Sequence, residues 1–231
     1  MCSHYQAVKN LAQFERHFGI APPVADQAHD IWPGHSARFV RRRSAAPGGA
    51  VAPEAANGVF GLLPHWAKDR SVSRHTYNAR LETVSEKPSF RDAWARAQHC
   101  IIAADAIFEP DWRSGRALAT RIAQASGEPL GIAGLWSLWR GAEGEVLSFT
   151  MLTINADAHP LMRTFHKPGD EKRMVVVLPR AQYADWLQAP AAHSLDLIRA
   201  CPAPDLVASV PGLGDGGSAP GAQPSQQTSL F

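Results

Sequence analysis

A cysteine stands directly behind the initiator methionine in "MCSHYQ", a position that gives it a chemistry no internal cysteine has. Methionine is usually trimmed when the next side chain is small, so Cys2 is expected to become the first residue, with a free amine and a free thiol on adjacent carbons. An α-amino group has a pKa near ~7.8 against ~10.4 for lysine, so it is far more often neutral and nucleophilic at neutral pH. Such a terminus condenses with an aldehyde to an imine. The thiol can then close a five-membered thiazolidine in an intramolecular step with a large effective-concentration advantage.

Three further segments carry chemistry. "YNARLETV" clusters Asn78, Arg80 and Glu82, an amide that donates and accepts beside a planar guanidinium fork, a pairing suited to a polar sugar and its phosphate. The apolar run "CIIAADAIFEPDW" delivers Asp105 and Glu109 among hydrophobic neighbours, where desolvation disfavours the charged carboxylate and suits a proton shuttle. "LTINADAHPLMRTFHKPGDEKRMVVVLP" holds His159 and His166, which titrate in a useful range. Each has a plainer alternative: a helix-capping loop, a strand-end carboxylate facing water, a structural histidine.

The elements that must position these residues read as short strands with a few helices. "GVFGLLP", "HCIIAADAIF", "RALATRIA", "LGIAGLWSLWR", "VLSFTMLTIN" and "RMVVVLP" are apolar, partly alternating runs of strand length. Helices are expected at 4–18, 86–98, 156–165 and 180–188. Without βαβ alternation the class is α+β, a mainly antiparallel, barrel-like sheet with peripheral helices. The Pro/Gly-rich stretches 21–35 and 44–58 read as loops. A single domain over 1–205 fits 231 residues at 45% hydrophobic content. Residues 206–231, rich in Gly, Pro, Ser and Gln, read as a disordered C-terminal tail.

Composition narrows the function classes. The net charge of +2 does not by itself announce nucleic acid, although "RFVRRR" gathers Arg38, Arg41, Arg42 and Arg43, either a phosphate-binding patch or a solvated loop or edge strand. Three cysteines without a short repeated spacing argue against a disulfide framework and a zinc knuckle, and no metal or cofactor is called for. No run approaches the ~18 apolar residues of a membrane span, so a soluble, cytoplasmic protein, read as a monomer, is expected.

Together the segments resemble the SOS-response-associated peptidase (SRAP) family of abasic-site processing proteins. The resemblance rests on Met1-Cys2, "NARLET" at 78–83, "ADAIFE" at 104–109, and His166 followed by Arg173-Met174, four motifs in order over most of the chain. It implies capture of an abasic site in single-stranded DNA through a thiazolidine on Cys2, with Asn78 holding the opened sugar, Glu109 moving protons, His166 assisting ring opening and Arg80 binding a phosphate. It also implies self-processing removal of Met1 and lyase-like Schiff-base chemistry.

The chain departs from the pattern at Ser3 and His4, where the family usually has Gly-Arg. His4 then takes over a phosphate contact in weaker or pH-dependent form. Trp66 in "LLPHWAK" can stack on a base, and Arg41 and Arg42 can follow the backbone. The terminal "QTSLF", with Gln227, Leu230 and Phe231, resembles the bacterial sliding-clamp-binding peptide, which implies the clamp as a partner. Rival readings are an amidotransferase with an N-terminal nucleophile, a Cys100–His166 thiol hydrolase, and a noncatalytic DNA-binding module.

Overall fold

The computed structural model describes residues 2–23, 27–43, 52–142 and 144–210. Among them eleven strands form one sheet: β1 (Tyr5–Ala7), β2 (Asp30–Ile31), β3 (Ser36–Arg42), β4 (Pro53–Phe60), β5 (Asn78–Arg80), β6 (His99–Asp111), β7 (Leu118–Gln124), β8 (Leu130–Gly141), β9 (Gly144–Asn155), β10 (Arg173–Val175) and β11 (Leu206–Ser209). Three short α-helices accompany them: α1 (Leu11–Phe18), α2 (Arg91–Ala95) and α3 (Tyr183–Gln188).

The pairings β3–β4, β4–β9, β9–β8, β8–β6 and β6–β3 return to their start, so five strands close a barrel. Closure removes two exposed sheet edges. Two pairings, β4–β9 and β5–β9, are parallel and the rest antiparallel, so the expected mainly antiparallel barrel carries a mixed seam along β9. Period-two alternation builds two cores. Phe39, Phe60, Ile102, Ile132, Phe149 and Met151 belong to one cluster, whereas their chain neighbours Val40, Ile101, Ala103, Ala133 and Leu152 pack in a second with Phe14, Phe18, Trp94 and Trp186 from the helices. A strand buried on both faces reads as a continuous apolar run, as "CIIAA" at the start of β6 does.

The 13-residue β6 places the site. Its first half pairs with β3 and β8 inside the barrel wall, and its second half, from Ala104 to Asp111, pairs with β1 and β7 beyond it.

Several expectations are corrected. The helix expected at 4–18 starts only at Leu11, because Asn10 caps it by accepting from Gln13 N at 3.0 Å, while Tyr5–Ala7 pair with β6. The helix expected over 86–98 shrinks to α2. That over 156–165 is a turn ending in a 3₁₀ turn at Met162–Thr164, where the His159 Nδ1 accepts from Leu161 N and Met162 N beside Pro160. The helix at 180–188 forms, as a 3₁₀ turn leading into α3. The stretches read as loops contain β2 and the start of β4. "RFVRRR" is neither loop nor edge strand, since β3 pairs on both sides and buries Arg38, Phe39 and Val40. The tail boundary also moves, because Leu206–Ser209 pair with β7 as β11. Among the described residues no helix is long and apolar enough to cross a membrane.

Candidate active site

Cys2 lies just ahead of β1 and is 1% exposed. Its carbonyl accepts from Asn78 Nδ2 at 2.7 Å, a bond between β5 and the N-terminal segment. A carbonyl can only accept, so this bond fixes the amide orientation and turns Asn78 Oδ1 the other way. That oxygen is buried and has no hydrogen-bond partner among the described residues. Burial first, and then the Glu109 charge, push the Cys2 thiol up, so it is held neutral, donating to the His4 carbonyl at 3.3 Å.

Glu109, on the far half of β6, is also 1% exposed, and burial pushes its carboxyl up to about 7. His166 is brought to it by the backbone: its N–H donates to Pro110 O at 2.9 Å, Phe165 bridges to Asp111, and its φ of +64° lies in the left-handed region. The ring Nε2 faces the Arg173 carbonyl at 2.9 Å and so must carry the hydrogen. Burial lowers the His166 pKa, which favours the neutral ring with its Nδ1 lone pair 3.5 Å from Glu109 Oε2. A proton acceptor thus faces a carboxyl that is half protonated near neutrality. Half-buried Tyr77, next to Asn78, has its hydroxyl pKa raised chiefly by burial.

The "NARLET" segment and β10 are tied together by charge. Buried Arg173 donates Nη2 to Glu82 Oε2 and Thr153 O, both at 2.8 Å, and Nη1 to Glu171 at 2.6 Å, while Arg80 reaches Glu171 at 2.8 Å. Arg173 therefore fixes the carbonyl that orients His166.

His4 is placed differently from the phosphate contact expected of it. Its ring is stacked between Trp32 and Phe108, each at 4.1 Å between centroids, and its Nε2 meets Asp30 at 2.8 Å. Trp32, Asp30 and Phe108 are the residues that sequence reasoning missed. The aromatic in "IWPGH" was the one available signal, and only the pairing of β1 with both β2 and β6 gives it meaning.

Cys2, Asn78, Glu109 and His166 are brought together, with Arg80 two residues from Asn78. Arg41 and Arg42 are not: they end β3 where Arg41 pairs with Cys100, nine residues before Glu109 on β6. Arg41 stacks on Trp136 at 4.3 Å and pairs with Glu54 at 2.8 Å, while Arg42 is exposed. Trp66 is exposed, its Nε1 donating to Pro88 O at 3.3 Å. Gln227, Leu230 and Phe231 lie outside the described residues. His159 binds the Cys201 carbonyl at 2.7 Å, and Asp105 accepts from Lys9 N at 3.3 Å. The thiol hydrolase reading fails on geometry, since nine strand steps separate Cys100 from Glu109, against which His166 packs, about 30 Å of extended chain.

These features define a class of small mixed barrels in which a cysteine just ahead of the first strand is set against a buried Asn, Glu and His. The family model for the SOS response associated peptidase (SRAP) matches residues 1–210, and the chain belongs to that family. Abasic site processing protein YoqW of Bacillus subtilis is 36% identical over 131 residues, 55% of this chain and 54% of that protein. Abasic site processing protein HMCES of Rattus norvegicus is 25% identical over 129 residues, 42% and 36% of the two chains. The match thus spans about half the length of YoqW and less of HMCES. A crystal structure of a protein from Bordetella bronchiseptica, 47% identical, agrees with a TM-score of 0.81 over 90% of this chain and 99% of that one.

Proposed function

We propose that this chain processes abasic sites by capturing them covalently in single-stranded DNA. With Met1 removed, the Cys2 amine attacks the aldehyde carbon of the ring-opened sugar. Glu109 protonates the hydroxyl of the carbinolamine, which leaves as water, and takes back the nitrogen's proton to give the imine. The thiol sulfur then adds to the imine carbon, its proton passes to the nitrogen, and a thiazolidine closes. The Nδ1 of His166 exchanges a proton with Glu109 as the sugar's hemiacetal opens. Asn78 accepts a hydrogen bond from a hydroxyl of the opened sugar, Arg80 meets a neighbouring phosphate, and Arg41, Arg42 and Trp66 contact nucleotides further along the strand. Removal of Met1 is self-processing at the same site, with water added across the Met1–Cys2 peptide bond to release free methionine and leave the Cys2 amine. The tail peptide at Gln227–Phe231 docks on the sliding clamp and brings the domain to replication forks.

The observation that carries this reading is the unpartnered, buried Oδ1 of Asn78 beside the cysteine that its other amide atom holds. Leaving such an acceptor dry costs about 1–3 kcal/mol unless a ligand satisfies it. The name shared by YoqW and HMCES supports the substrate. Intact-mass spectrometry of the protein mixed with single-stranded DNA containing one abasic site is expected to give an adduct heavier by the DNA minus one water. The wild-type protein is also expected to lack the mass of Met1. Cys2→Ala is expected to abolish the stable adduct; an undiminished adduct, or noncovalent binding alone in the wild type, would overturn the proposal.

A further inference from the structure

We infer that the outer face of Trp32 is a stacking platform for a nucleobase flanking the captured site, a recognition role built on the His4 column. Three flat rings lie in register: Phe108, His4 and Trp32, with interplanar angles of 11° and 8°. Each end of the column is set by the sheet, since Tyr5 pairs with both Ile31 and Ile107, the neighbours of Trp32 and Phe108. Phe108 covers one face of His4 and Asp30 takes its Nε2, so the imidazole is anchored without Trp32.

Trp32 nevertheless stays 45% exposed although its inner face is covered at 4.1 Å. A ring sealed on one side that keeps nearly half its area presents its other side to solvent. A large apolar face held rigid and wet gains by accepting another flat ring, and a nucleobase is the flat ring that a single strand supplies; such stacking tolerates any base. The place fits. Only Ser3 stands between Cys2 and His4, so Trp32 lies on the order of 10 Å from the reacting cysteine, within reach of a nucleotide next to the captured one or the one after it. Trp66, the other exposed tryptophan among the described residues, is instead held at its edge by Pro88.

This inference rests on the proposed function, and its test keeps the two apart. Short single strands would carry a tetrahydrofuran abasic analogue, which has no aldehyde, so equilibrium affinity is read without any crosslink. Four strands are compared: bases on both sides of the analogue, on the 5′ side only, on the 3′ side only, and on neither side. Stacking worth about 1–3 kcal/mol predicts that Trp32→Ala weakens binding ~5- to 150-fold on strands with a base on one particular side. The loss vanishes when that base is removed, and Trp32→Phe restores part of it. If Trp32 only shields His4, the loss is the same on all four strands, which overturns the inference. Failure of the covalent reading would show separately, as a wild type that forms no adduct with the aldehyde while its noncovalent affinities still respond to Trp32.

Discussion

In the proposed capture Glu109 acts through one number, a carboxyl pushed up to about 7 by burial. The reactive form pairs protonated Glu109 with a neutral Cys2 amine of pKa near ~7.8, so the rate of adduct formation is expected to peak between about 7 and ~7.8 and to fall on both sides. Glu109→Gln should remove the high-pH fall, leaving a plateau roughly a hundredfold or more lower. Single-turnover rates across pH 5.5 to 9.5 would read both. The same residue bears on stability with a definite sign. The folded state keeps its proton up to about 7 while the unfolded chain loses it near ~4.3, so Glu109 weakens folding as pH rises through that window, by on the order of 3 kcal/mol. Glu109→Gln should therefore gain stability relative to the wild type as pH rises from 4.5 to 7 in denaturant titrations.

At the scale of elements, the site is a meeting of ends: the entry to β1, the start of β5, the outer half of β6 and the turn before β10. Arg173 is the clasp, joining β10 to Glu82, Glu171 and Thr153. Arg173→Met is expected to cost about 1–3 kcal/mol, since hydrogen bonds to charged groups are lost while the half-exposed carboxylates rehydrate. The melting temperature should drop roughly 2–4 °C for each kcal/mol. Because the Arg173 carbonyl orients His166, adduct formation should slow by more than the folded fraction explains. The strands were legible because apolar alternation in runs such as "VLSFTMLTIN" is local, and the four residues that the structure gathers stood out because each belongs to a short motif. The stretch 4–18 was misread because the alternation of Tyr5 and Ala7 is only three residues long and runs straight on toward α1, and only pairing with β6, about a hundred residues on, makes it a strand. The column of His4, Trp32 and Phe108 was illegible for the same reason: no local pattern records which rings a sheet will bring face to face.

For the whole molecule, the barrel and the site make opposing demands on pH. His99 opens β6 at the other end from Glu109, buried against Trp186 at 4.2 Å and bonded to Ser194 at 3.0 Å, and burial lowers its pKa to about 4. The folded protein holds it neutral while the unfolded chain protonates it near ~6.5, so its stabilising contribution is complete above ~6.5 and is lost as pH falls toward 4. That loss is on the order of 3 kcal/mol, and it opposes the gain from Glu109 over the same range. Thermal unfolding of His99→Asn should begin from a lower melting temperature at pH 7 and lose less between pH 7 and pH 5 than the wild type. A single strand thus links an acid-sensitive barrel end to a base-sensitive reactive end.

The bond from Asn78 to the Cys2 carbonyl grips the main chain and ignores the side chain. Position 2 is consequently a socket in which holding and reacting are separable. A serine there would be seated the same way and would still offer its amine, but its weaker nucleophile would leave the imine open to hydrolysis. The proposed thiazolidine trap would become a reversible imine through the exchange of a single atom.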